Sequence, residues 1–256
     1  MSMHGSLTFV PSVHFSPTHR RRVRETIRDV DPDLVAVELD DRRYDRIEGT
    51  RRPGDVLSDA LPPATAAAYN VLRTIQRTIV RFYGLDPGET DMEAAIETAA
   101  ELETAVALID EPIGEIIDAL TSRVGPELVP KLFVRAQRLD PSQQARQIEL
   151  LTLPLQDVTS GEDVQPAIEQ LRLLCPEVTD VLIDRRDRAM ARRLHALRRE
   201  GHDVVVVIGA GHHLGIEERL ADLESTESGD SEATHDETVS VPIRSPSRDV
   251  TRIPID

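Results

Sequence analysis

Two short runs of β-branched residues constrain this chain more than anything else in it. Leu34-Val-Ala-Val-Glu-Leu39 is bounded by Asp33 and Asp40, and Val204 to Ile208 is bounded by Asp203 and Gly209. Runs this short and this apolar read as buried strands. Ahead of the first run, Leu7-Thr-Phe-Val10 reads as another strand. Ser16-Pro17 then reads as a helix start, a capping hydroxyl followed by proline at the first helical position. The helix continues through Val23, Ile27 and Val30, and Pro32 stops it. Strand, helix and strand within about 35 residues make a βαβ unit, and such units build parallel sheets. The expected fold class is therefore α/β, with a mixed, mainly parallel sheet flanked by helices.

The rest of the chain fits around that sheet. Gly49 to Pro63 is rich in Pro, Gly and Asp and reads as loop. Thr65 to Tyr83 and Asp91 to Leu102 have helical spacing, and Val106 to Asp110 reads as a third strand. Ile113 to Val124, Pro130 to Leu139, Ala167 to Leu174 and Arg185 to Arg199 read as helices. Gly201 ends the last of these. Gln143 to Asp157 fits neither pattern. From about Leu223 the apolar periodicity is lost and acids dominate, which reads as a disordered tail with one late strand near Val239 to Ile243. The expected organisation is one α/β domain over 1–222, carrying mostly helical segments at 49–104 and 113–175, and an acidic tail over 223–256.

Charge narrows the function. The formal net charge is −16, and Lys131 is the only lysine. Phosphate contacts need clustered positive charge, so a general nucleic-acid binder is not expected. Acids with almost no lysine suggest a salt-adapted, cytoplasmic protein whose self-repulsion salt would screen. With no Trp and only 3% aromatics, the core must be built from Val, Ile, Leu and Ala. Cys175 is the only cysteine, in an apolar segment, so neither an internal disulfide nor a cysteine zinc site is expected. No apolar run is long enough to span a bilayer, and no signal peptide stands out.

Sites in open parallel sheets form at the carboxyl ends of the strands. His14, Glu38 and His212 all sit at or just past such ends. Two imidazoles and a carboxylate are a workable ligand set for a divalent ion with an open position. Each residue also has a plainer reading: His14 as a cap, Glu38 as a paired buried acid, and His212 as a residue packed beside the Gly209-Ala-Gly211 turn. The glycines there miss the dinucleotide fingerprint, since Gly215 comes four residues after Gly211 rather than three. Arg185, Arg186, Arg188, Arg192, Arg193, Arg198 and Arg199 form the only basic concentration, either a solvated face or the source of one arginine aimed into the site.

With these residues in hand, the chain resembles the TraB/PrgY family, also called TraB/GumN, related to the Tiki and erythromycin-esterase-like proteins. Val35-Ala-Val-Glu-Leu-Asp-Asp-Arg-Arg-Tyr44 looks like the family's "VELD..RY" segment. Asp91 to Ile96 and Ala105 to Asp110 are similar to its middle helix and strand. Ile183 to Ala191 resembles its "ERD..MA" helix start, and Val207-Ile-Gly-Ala-Gly-His212 the second of its GxxH motifs. The chain departs from the pattern at Pro11, where the first GxxH has glycine, at Arg185, where glutamate is expected, and at Glu111, where arginine is frequent. The resemblance implies a divalent-metal-dependent hydrolase of a peptide or small acyl substrate. Similar bacterial proteins are associated with pheromone shutdown. His14, Glu38 and His212 would hold the ion (manganese, cobalt or zinc), and Glu38, Arg186 and Asp187 would serve catalysis. A non-catalytic regulator that binds a peptide or partner is the alternative, and a haem-binding protein the more distant one. The oligomeric state is left between monomer and homodimer.

Overall fold

The computed structural model describes residues 4–13, 17–49, 90–125, 127–140, 158–229 and 239–247. His14, the expected helix over 65–83 and the ambiguous stretch over 143–157 lie outside them. At the centre stands a five-stranded sheet in the order β1-β4-β2-β3-β5. Its strands are β1 (Leu7–Ser12), β2 (Leu34–Val37), β3 (Ala105–Leu108), β4 (Val204–Gly209) and β5 (Ile243–Arg244). β1, β4, β2 and β3 are parallel neighbours, and β5 pairs antiparallel along β3. The fold is thus mixed α/β with a mostly parallel sheet, as the βαβ unit predicts.

Every residue of β2 and β4 is buried, because helices cover both faces of the sheet. On one face lie α1 (Pro17–Val30) and α3 (Asp91–Leu102). Val23 and Ile27 of α1 and Ile96 and Ala99 of α3 pack there against Val10, Val35, Val37, Val205 and Val207. On the other face lie α8 (Arg185–Arg199) and α9 (Ala210–Gly229), whose Met190, Leu194, Leu197 and Ile216 meet Ala36, Ala107, Val206 and Ile208. The alternation of β2 and β4 between these faces is what a strand's two-residue period gives. A third cluster joins α4 (Ile113–Arg123), α5 (Leu128–Gln137), α6 (Gln165–Leu174) and α7 (Pro176–Thr179), with Cys175 among them. No helix among the described residues is long and apolar enough to cross a membrane.

Three details differ from the sequence reading. α2 (Asp41–Ile47) is an added helix, started by Asp40, whose carboxylate accepts from the Arg43 backbone N–H at 3.1 Å. The helix carrying the arginines begins well before Arg185: α7 runs into one wide turn, Asp180–Asp184, and then into α8. In that turn the Arg185 N–H donates to the Asp180 carbonyl five residues back. Finally, Gly209-Ala-Gly211 forms no separate turn. β4 passes straight into α9, which continues to Gly229, past the point where the acidic composition sets in. Helix geometry accepts that polar segment because its start is anchored by the buried Ala210, Ile216 and Leu220.

Candidate active site

The parallel strands all end on the same edge of the sheet, and the unusual polar residues collect there. Glu38 extends the alternation of Leu34 and Ala36 and so points to the α8 and α9 face. Asp110 follows β3, Arg186 and Asp187 open α8, and His212 lies in the first turn of α9. All five side chains are buried, Arg186 and His212 completely.

Arg186 is the hub. Its Nε donates to Asp110 Oδ1 at 2.9 Å, and its Nη2 donates to Asp110 Oδ2 at 2.5 Å and also to Glu38 Oε1. Its Nη1 donates to the Leu182 carbonyl at 3.2 Å and lies 3.2 Å from His212 Nε2. The other oxygen of Glu38 accepts from the Gly209 backbone N–H at 2.7 Å, which ties β2 to the end of β4. His212 Nδ1 lies 2.5 Å from Asp187 Oδ1, and His212 Nε2 lies 3.3 Å from Glu38 Oε1. Asp187 can sit so close to α9 because Gly215 faces it; a Cβ on Gly215 would come within 2.0 Å of Asp187 Oδ2.

A second arginine extends the network. Arg43 of α2 donates to Asp110 Oδ2 at 2.5 Å and to Asp40 Oδ1 at 2.9 Å. Asp40 Oδ2 accepts from the Ile113 backbone N–H at 2.7 Å, and so holds the start of α4. Four buried carboxylates (Glu38, Asp40, Asp110, Asp187) are therefore set against two guanidiniums and one imidazole.

These contacts shift the titrations. Burial alone would raise the Asp110 carboxyl, but Arg186 and Arg43 outweigh it and bring Asp110 down to about 2. For His212, burial opposes the charged form. The Glu38 carboxylate overcomes it, Arg186 works against, and Asp187 adds to the rise, leaving His212 at about 9. Asp187 is pushed up by burial, held back by His212. Burial disfavours charge on Arg186 too, yet Asp110 and Glu38 raise it further, so its charge is permanent.

The structure thus brings Glu38, Arg186, Asp187 and His212 together. Asp110, Asp40 and Arg43 belong to the same network although spacing alone did not single out their roles. Asp110 carried a signal of the same kind as Glu38, an acid at the end of an apolar run. Arg43 carried none in periodicity, because α2 was not legible, and stood out only as the arginine of the "VELD..RY" segment.

Two departures from the family pattern meet each other. Arg185 Nε donates to Glu111 Oε1 at 3.0 Å, and Arg185 Nη2 donates to Glu115 Oε2 at 3.1 Å. The two positions where this chain departs from the motifs it resembles therefore face each other as an ion pair.

On the opposite face of the same edge, the Ser12 hydroxyl donates to the buried Asp91 carboxylate, and the Val13 N–H donates to His19 Nδ1 at 2.7 Å. This smaller cluster ties β1 to α1 and α3.

As these side chains stand, they do not fit a divalent ion shared by Glu38 and His212. The Arg186 guanidinium lies against both of the atoms that would coordinate it. Among the described residues, no group of three or more His, Cys, Asp or Glu is placed to hold a metal ion. Both ring nitrogens of His212 are likewise engaged, which leaves neither directed at a haem iron.

The pattern of motifs has counterparts in known proteins. The chain matches the TraB/PrgY/gumN family over residues 5–227. It is 30% identical over 219 residues to an uncharacterized protein of Methanocaldococcus jannaschii, an alignment covering 84% of this chain and 53% of that protein. The chain thus spans about half the length of that relative. The family match runs from before β1 to near the end of α9 and takes in every residue of the buried network, so this chain belongs to the TraB/PrgY/gumN family.

Proposed function

We propose that the chain is a hydrolase acting on a peptide or a similar acyl substrate, with its chemistry at the carboxyl edge of the sheet. The observation that carries this reading is a buried imidazole with a raised titration placed beside a buried carboxylate. The His212 imidazole is held protonated up to about pH 9, and it lies 3.3 Å from the Glu38 carboxylate. An imidazole that keeps its proton next to a carboxylate that can accept one is a usual making of an acid and a base.

In this reading Glu38 accepts a proton from the attacking water. His212, oriented by Asp187, donates a proton to the leaving group. Arg186 offers fixed positive charge to the oxygen that becomes negative in the transition state. Asp110 and Arg43 hold Arg186 in place. Since Glu38, Arg186 and His212 are buried, the elements over this edge must open to admit substrate. A divalent ion at His14, Glu38 and His212 requires Arg186 to withdraw from both of the latter, and no step here is routed through one.

The saturation of the network favours one other reading, a non-catalytic regulator that binds a peptide or partner. Every nitrogen of Arg186 already has a partner. A peptide and acyl-ester panel, run at high salt with and without manganese, cobalt or zinc, separates the two. Turnover by the wild type that drops at least roughly 100-fold in Glu38→Gln and His212→Ala supports the hydrolase. No turnover under any condition, with peptide capture unaffected by both substitutions, moves the reading to the regulator.

A further inference from the structure

We infer that Arg186 is the resident cation of this site and stands where a divalent ion would otherwise bind. Two carboxylates and an imidazole surround one guanidinium. Glu38 Oε1 and both oxygens of Asp110 accept from Nη2 and Nε, and His212 Nε2 lies 3.2 Å from Nη1. Glu38 Oε1 and His212 Nε2 are 3.3 Å apart. Two ligands on one tetrahedral zinc at about 2.1 Å would be separated by roughly 3.4 Å. The donor chemistry is that of a carboxylate–imidazole metal site, and the spacing of this pair is too. The Arg186 guanidinium, a positive charge from the chain itself, lies against both coordinating atoms.

Arg186 is not a loosely placed surface arginine that an ion could displace. It is completely buried, it rises from the turn whose Leu182 carbonyl it also binds, and Asp110 grips it with both oxygens. A second guanidinium, Arg43, shares Asp110 Oδ2 and adds to the electrostatic barrier against a divalent ion. The pocket is therefore closed to divalent ions while Arg186 is present and open to them once its charge is removed. This inference concerns ion binding and holds or fails independently of hydrolysis.

The test is ion uptake by the full chain, read by elemental analysis after incubation with manganese, cobalt or zinc and removal of free metal. Thermal melting is recorded alongside. The wild type and Arg186→Lys, which keeps a cation, take up no stoichiometric ion. Arg186→Ala takes up about one per chain, at least roughly tenfold more tightly than the wild type, and its melting temperature rises with the metal. Arg186→Gln keeps hydrogen-bonding capacity without charge and gives the same reading where the alanine variant does not fold. A wild-type protein that binds about one ion and loses it in His212→Ala overturns the inference. So does a failure of both Arg186→Ala and Arg186→Gln to take up an ion.

Discussion

At the scale of single residues, His212 and the Arg185–Glu111 pair make the sharpest statements. The folded-state titration of His212 near 9 lies above the ordinary histidine value of 6.5. A raised value means that its contribution is fully present below about pH 6.5 and is lost as pH rises through about 9. Chemical denaturation followed between those limits should show wild-type stability falling by on the order of 1–3 kcal/mol, and His212→Asn should flatten that slope. A wild type as flat as the variant would mean that His212 is neutral in the fold. The Arg185–Glu111 pair invites a charge-exchange experiment. Glu111→Arg alone sets two arginines against each other and should cost roughly 1 kcal/mol in denaturant midpoint analysis, while Glu111→Arg with Arg185→Glu should recover most of it. Equal losses in the single and double variants would show that the two side chains do not interact.

At the scale of elements, the fit between α8 and α9 depends on a missing side chain. Asp187 reaches His212 only because Gly215, one turn further along α9, leaves room for its carboxylate. Gly215→Ala removes a helix-interior glycine, which by propensity alone should stabilise α9 by up to about 1 kcal/mol. The steric conflict with Asp187 should reverse that sign, with a net loss of roughly 1–3 kcal/mol by thermal denaturation and a lowered titration of His212 by NMR. A stabilised variant with unchanged His212 would show that Asp187 shifts at no cost. The wide turn at Asp180–Asp184 plays a related part. Arg186 binds back to the Leu182 carbonyl inside it, so the turn and the guanidinium are positioned together. Wide turns of this kind often mark functional places in helices.

At the scale of the whole molecule, charge and topology act separately. A net charge of −16 sets a self-repulsion that salt relieves, while buried pairs such as Arg186–Glu38 feel salt little. The melting temperature should therefore climb as potassium chloride is raised from low to molar levels, without loss of the His212 titration. A melting temperature that falls with salt would instead point to exposed ion pairs, such as Arg28–Glu101, as the main electrostatic support.

The strands were the most legible part of this protein. Val204 to Ile208 and Leu34 to Val37 are apolar on every residue because helices bury both faces, and that pattern survives in sequence as unbroken β-branched runs. The first helix and Asp91–Leu102 were legible for a related reason, since an apolar stripe is local. Glu38 and His212 stood out because polar groups at the ends of such runs are costly unless used or paired. Local pattern was thus enough to give the class of fold, the parallel sheet and the edge on which polar residues gather. What it could not carry was any relation between distant residues. The partnership of Arg186 with Asp110 and Glu38 joins positions 76 and 148 residues apart, and no local period records it. The same holds for the Arg185–Glu111 pair and for Gly215 making room for Asp187. It took the packing of the elements to set a guanidinium against both Glu38 and His212. Buried charges must find partners, and which partners they find depends on how the elements pack.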